Sequence, residues 1–189
     1  MTQQGKNAID LVLAESLIEL SAKKPIDKIT IKEITDKAGV IRPTFYNHFQ
    51  DKYELIEWII QSQLLEPIKP LLNAGMIFEA IVLMLNNISA NSVFYKKALK
   101  LEGAVTFNQI AMKCVCEMFM NIISEKSTGK KSKYRWLTPE VISTYYAQSL
   151  CFITEGWIAQ GMDDIEPKEM AEAYMYLITR SMDDILSEL

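Results

Sequence analysis

The sequence predicts an all-α protein, and three observations carry that expectation. Apolar residues recur three and four apart along most of the 189-residue chain, the spacing that lines one face of a helix. Thr and Asp stand where these runs begin, and Gly and Pro stand where they end, as helix caps and breakers do. The composition, 49% apolar and 23% charged, is that of a chain that folds around a core and not of a disordered one.

Taken in order, residues 6–22 form the first predicted helix, with Ile9, Val12, Leu13, Leu17 and Leu20 as its apolar stripe. Pro25 stops it, and Ile26 and Ile29 return the chain to the core. Thr30 then caps a short helix to Ala38, and Gly39-Val40 makes a turn. A second short helix begins at Ile41 or Arg42 and runs to Phe49. Gly39 supplies a backbone conformation that other residues adopt at a cost, and Pro43 sits in the first helical turn, where its missing amide has no intrahelical partner to lose. Ile31, Ile34 and Ala38 face Phe45 and Phe49 across the turn, leaving Arg42, Thr44, Tyr46, Asn47 and His48 on the opposite side. Two short helices joined this way can place the second in a DNA major groove. The first helix braces them, because helices this short bury too little to stand alone.

Asp51, with Glu54 three positions on, opens a helix that is expected to run to about Leu65 and to break at Pro67 and Pro70. A strongly apolar helix follows over Leu72–Ser89, then the segment NSVFYKKALKLEG, then a helix over Thr106–Ser124. The stretch EKSTGKKSKYRW, residues 125–136, is rich in Lys and reads as an exposed loop. Thr138 and Pro139 open a long helix that Gly161 closes, and Pro167 opens the last one, to about residue 187. The helices at 138–160 and 167–187 are expected to pair antiparallel. The domain division expected is 1–52 for the helix-turn-helix head, with a connecting helix over 51–65, and 66–189 for a second helical domain.

Charge and residue types narrow the chemistry. The net charge is −4, and residues 1–52 hold eight basic against seven acidic side chains, so affinity for DNA rests on local placement of Lys24, Lys28, Lys32, Lys37, Arg42 and Lys52. His48 is the only histidine, which argues against a His-centred triad or a His-rich metal site. Cys114 and Cys116, two apart on a helix, point to different faces and do not chelate one metal. Together with Cys151 they read as reduced thiols of a cytoplasmic protein. No membrane span, phosphate loop or catalytic constellation is evident; the expectation is a non-enzyme without metal or cofactor. Met84, Glu102, Met112, Phe119, Tyr145, Phe152 and Trp157 are the candidates for a ligand pocket, the alternative being that they fill a core.

The run from Thr30 to Leu55 resembles the DNA-binding signature of the TetR/AcrR family of bacterial transcriptional regulators. Thr30, Ala38-Gly39-Val40, Thr44-Phe45-Tyr46, His48-Phe49, Lys52 and Leu55 carry it, while Ile41 and Pro43 depart from the small or polar residues usual there. The later part is similar to a subgroup that includes the activator of dihydroxyacetone kinase operons, through Phe94, Tyr95, Gly103, Trp157 and Gly161. The resemblance implies an N-terminal three-helix DNA-binding domain and a C-terminal domain for dimerisation and ligand binding. It implies a ligand-responsive repressor that binds a palindromic operator as a homodimer through the last two helices, about 138–160 and 167–187. A small-molecule effector or a protein co-regulator would act through the helix at 51–65. Activation, or a scaffold controlled by a protein docking on the second domain, is the other reading. Thr30, Tyr46, His48 and Lys52 are then expected on phosphates. Arg42, Thr44 and Asn47 are the base-reading candidates, Arg toward guanine and Asn toward adenine, with Pro43 among the contacts.

Overall fold

The computed structural model describes residues 3–102, 105–126 and 132–188. Every regular element among them is helical: α1 (Gln3–Ser21), α2 (Ile31–Ala38), α3 (Arg42–Tyr46), α4 (Lys52–Ile59), α5 (Glu66–Asn73), α6 (Ile77–Ala90), α7 (Ser92–Ala98), α8 (Phe107–Lys126), α9 (Pro139–Ala159), α10 (Pro167–Thr179) and α11 (Met182–Glu188). A 3-10 turn at Ile26–Lys28 and a π-helical segment at Ile60–Leu65 complete the set.

The first four helices wrap one centre. Leu13, Ala14 and Leu17 of α1, Ile34 of α2, Phe45 of α3 and Leu55 and Ile56 of α4 are each 0% exposed. The inward face of α1 is rotated from the expected stripe: Val12 is exposed, and Asp10, Ala14 and Ser21 are buried. A five-residue helix such as α3 does not persist by itself. It is held by Phe45, whose full burial contributes ~1.5–3 kcal/mol, and whose ring packs against Phe49 at 5.8 Å. The helix is shorter than expected, because Asn47 ends it and residues 47–48 form a turn before Phe49.

The connecting helix does not break at Pro67. It passes through the π-helical turn and continues as α5, with Pro67 in the first turn of α5 and Pro70 inside it. Proline lacks the N–H that an α-helix would send to residue i−4. The wider winding admits it, with the Glu66 amide bonding back to the Gln61 carbonyl. The break falls instead at Gly75, where φ is 78°, so the expected Leu72–Ser89 helix is divided between α5 and α6.

The core continues without interruption through Ile59, Ile60 and Leu64 to Ile81, Met84, Leu85 and Ile88 of α6, to Cys114, Val115 and Met118 of α8, and to Leu150 and Trp157 of α9. α8 packs chiefly along α9, and α10 along α6, so α9 and α10 are not each other's main partner as expected. The last helix also divides. Arg180 is extended, and Ser181 caps α11 through reciprocal hydrogen bonds with Asp184. Gly103 and the centre of the lysine-rich stretch, residues 127–131, lie outside the described residues. No single described helix is long and apolar enough to cross a membrane; α6 and α7 reach that composition only together, and they meet at 88°.

Candidate nucleic-acid interface

α2 is fixed at both ends by local chemistry. The Thr30 hydroxyl accepts the Glu33 amide, and the Glu33 carboxylate accepts the Thr30 amide at 2.9 Å, a complete capping box worth ~1 kcal/mol. Lys24 adds an ion pair to Glu33 at 2.5 Å. These donors hold the Glu33 carboxyl well below the usual range, at about 2. At the other end Gly39 has φ 68° and ψ 26°, and the Val40 amide bonds to the Thr35 carbonyl at 3.0 Å, closing the helix in the manner of a left-handed cap. Val40 packs against the core, as the turn requires.

The turn aims α3 outward. With Phe45 inside, the opposite face presents Arg42, Pro43, Tyr46 and Asn47 to solvent, with Thr44 half-buried beside them. Arg42 Nη2 donates to the Tyr46 hydroxyl at 3.3 Å, and its guanidinium lies 5.9 Å from the ring. An i, i+4 pair of this kind holds a planar donor group and a phenol side by side on a convex surface, where they can reach phosphates and base edges.

Two of the expected contact residues are placed differently. His48, expected on the solvent face, has a side chain only 2% exposed, with Nδ1 2.6 Å from Oδ1 of Asp10 on α1. The shortened α3 turns the residue back against the bracing helix. Lys52, expected to offer a free ammonium, donates to the carbonyls of Ile26 at 3.0 Å, Asp27 at 2.7 Å and Ile29 at 3.2 Å. It thereby ties the start of α4 to the 3-10 turn, and burial pulls its pKa down. The Thr30 hydroxyl is likewise engaged within the capping box. The structure thus gathers Arg42, Pro43, Thr44, Tyr46 and Asn47 on one face and sets Thr30, His48 and Lys52 in its support. Asp10 was missed by periodicity alone; the available signal was a carboxylate inside the apolar phase of α1 and a lone histidine needing a partner.

The expected ligand pocket does not assemble as one lining. Met84 and Trp157 are core, Met112 and Phe119 are half-buried, Glu102 is exposed, and Tyr145 and Phe152 are 64% and 76% exposed on the outer face of α9. The Phe119 ring packs at a tilt against Tyr146, with centroids 6.0 Å apart. Glu102, Phe152 and Trp157 do meet in an open groove of about 1060 Å³, with Leu101, Phe107 and Lys100, between the end of α7 and the second half of α9. Trp157 Nε1 donates to the Ile165 carbonyl at 2.8 Å and fixes the turn that floors it.

Polar contacts tie the second half of the chain to the connecting helix. Lys113 of α8 pairs with Glu57 of α4 at 2.6 Å, which raises the lysine's pKa, and Gln61 reaches Glu117 at 3.4 Å. Among the described residues no cluster of His, Cys, Asp and Glu is arranged to hold a metal ion.

Comparison with known proteins agrees with this geometry. Residues 15–59 match the family described as bacterial regulatory proteins, tetR family, and residues 76–180 match the transcriptional regulator C-terminal region. The chain is 26% identical over 152 residues, 79% of each protein, to the HTH-type dhaKLM operon transcriptional activator DhaS of Lactococcus lactis subsp. lactis strain IL1403. Among solved structures, the dihydroxyacetone kinase operon activator DhaS superposes with a TM-score of 0.64 at 21% identity, over 90% of this chain and 93% of that one. NalD, the secondary repressor of the MexAB-OprM multidrug efflux pump in Pseudomonas aeruginosa, gives 0.59 at 14% identity, over 92% and 96%. Those two likenesses show a shared fold.

Proposed function

The chain belongs to the tetR family of bacterial regulatory proteins and is a DNA-binding transcriptional regulator; on that footing we propose that it reads a palindromic operator as a homodimer, with α3 of each copy in a major groove. The observation that carries this reading is the outward face of α3, where Arg42, Pro43, Thr44, Tyr46 and Asn47 stand opposite the buried Phe45. Arg42 and Asn47 are assigned to base edges and Tyr46 to a phosphate. Thr30, His48 and Lys52 hold the reading helices at the angle that this contact needs.

One five-residue helix contacts too few bases to define a site, so a two-fold pair reading two half-sites is the expected solution. The apolar side chains on the outer faces of α9, α10 and α11, among them Tyr145, Phe152, Leu177 and Met182, are assigned to the contact between copies. The division proposed is a reading head, residues 1–52, joined by α4 and the π-helical segment to a regulatory part that begins near residue 66.

An effector enters this scheme through linkage. A molecule that binds the regulatory part more tightly in one arrangement of the heads shifts operator affinity by the same factor. The groove beside Trp157 suits a ligand with an apolar body, and Glu57–Lys113 and Gln61–Glu117 carry its effect to α4. Repression is the first reading. Activation is the second, favoured by the likeness to DhaS, an operon activator.

The test is selection of bound sequences from a random duplex library, followed by fluorescence anisotropy on the recovered motif at two salt concentrations. A palindrome bound by a dimer with steep salt dependence supports the reading. No enriched motif from a well-folded dimer overturns it.

A further inference from the structure

The segment that joins α8 to α9 carries a surface that the reading of DNA does not use. From Lys126 to Pro139 the sequence holds five Lys and Arg and no Asp or Glu, in a chain whose net charge is −4. In its described part every residue from Ser132 to Leu137 is exposed. Trp136 is 75% and Tyr134 61% exposed, and Lys133 Nζ lies 5.5 Å from the centroid of the Tyr134 ring. The backbone there is fixed by its own turns. Ser132 Oγ accepts the Tyr134 amide at 3.1 Å, the Tyr134 carbonyl accepts the Leu137 amide at 3.1 Å, and the Trp136 carbonyl accepts the Thr138 amide at 2.9 Å. Large apolar side chains held outward together on such turns mark an interaction surface.

Its place in the fold sets it apart from the operator. α8 runs away from the reading head alongside the connecting helix: Lys113 meets Glu57, Glu117 meets Gln61, and Lys126 donates to the Leu72 carbonyl at 2.8 Å. The 20 residues of α8 span about 30 Å, so the segment that follows stands at the pole far from the head.

The residue types select among anionic partners. Lys, which supplies four of the five cations, is depleted where proteins dock on one another. A two-fold contact between copies centred on this tip would set like charges face to face. A single-stranded nucleic acid takes basic and aromatic side chains together, but gives Leu137 nothing to enter. A lipid surface accommodates all of them: Trp and Tyr settle at the level of the headgroups, and clustered Lys and Arg are drawn to anionic ones.

We propose that Lys133, Tyr134, Arg135, Trp136 and Leu137 form a docking surface for an anionic phospholipid bilayer, which the protein touches with its reading head turned away. The contact is peripheral: the rings and Leu137 enter the headgroup layer while the two cations stay among the phosphates.

The test uses the full-length protein, sucrose-loaded vesicles and low salt. Wild type is expected to sediment with vesicles of equal parts phosphatidylglycerol and phosphatidylcholine, to stay in solution with phosphatidylcholine alone, and to be released as salt screens the cations. Trp136 is the reporter, since its emission shifts to shorter wavelength on leaving water, whereas Trp157 is already buried. Changing Lys133→Gln and Arg135→Gln together is expected to lower the partition coefficient roughly thirtyfold. Trp136→Ala is expected to lower it roughly tenfold and to abolish the emission shift. Circular dichroism confirms the fold of both variants. Wild type that does not sediment with the mixed vesicles overturns the proposal, as does binding that both variants retain in full. A single-stranded oligonucleotide bound in preference to vesicles, and weakened by the same substitutions, assigns the surface to nucleic acid and overturns it. Trp136→Ala that sediments as a smaller species than wild type without vesicles assigns the surface to the contact between copies, which also overturns it. None of these readouts involves the operator, so the outcome is separate from that of DNA reading by α3.

Discussion

The side-chain amide of Asn87, on α6, donates to the main-chain carbonyl of Gln63 in the π-helical segment at 3.1 Å. In an α-helix that carbonyl would take its hydrogen bond from residue 67, which is a proline with no N–H to give. Asn87 supplies from another helix the donor that the connecting helix cannot supply itself. Asn87→Leu is expected to lower stability by ~1–3 kcal/mol, because it leaves a shielded carbonyl without a partner. Urea unfolding checks this, and Pro67→Ala in the same background should recover part of the loss.

Gly39 has φ 68°, and a Cβ built there would meet nothing within 4 Å. Its requirement is therefore conformational and not spatial. Gly39→Ala is expected to cost ~1–2 kcal/mol, and Gly39→Asn distinctly less, since Asn tolerates the left-handed region. Equal losses in chemical denaturation would show that space, not backbone angle, sets the preference for glycine.

Arg42 and Lys52 separate contact from support. Arg42 is exposed, and its side-chain hydrogen bond among the described residues is to Tyr46, so Arg42→Ala should leave the melting temperature nearly unchanged and weaken binding to the selected operator by ~1–3 kcal/mol. Lys52→Met removes the donor shared by three carbonyls, and should lower the melting temperature first. Anisotropy and thermal unfolding on the same two variants distinguish the roles.

Glu33 gives a pH dependence with a defined sign. Its folded pKa, about 2, lies below the ordinary 4.5 because Lys24 and Thr30 donate to the carboxylate. Its contribution is therefore present above pH 4.5 and lost as pH falls from there toward 2. Glu33→Gln should flatten the acid limb of the stability profile in that window. Melting temperatures of both proteins from neutral pH downward measure it.

The cysteines should react in order of access. Burial pushes the Cys114 and Cys151 thiols up to about 12, whereas Cys116 is only half-buried. A disulfide reagent near neutral pH is expected to modify Cys116 first and the other two on denaturation, because the thiolate is the reacting form. Mass spectrometry after limited reaction identifies the site.

By itself the sequence determined what local interactions determine: the Thr30 cap, the Gly39 turn, Phe45 as the inward anchor of α3, and the long helix from Pro139. Each depends on residues within a turn or two of one another, so spacing and residue type suffice. Only the tertiary structure decided where long-range partners lie. Pro67 reads as a helix end until α6 brings Asn87 to the carbonyl it leaves free. His48 and Lys52 read as exposed donors until α1 brings Asp10 and the 3-10 turn brings three carbonyls. Tyr145 reads as pocket lining until the packing of α9 on α8 turns it outward. Helical periodicity says which residues share a face, but what that face meets depends on elements tens of residues away, and their hydrogen bonds decide whether a polar side chain serves the surface or the frame.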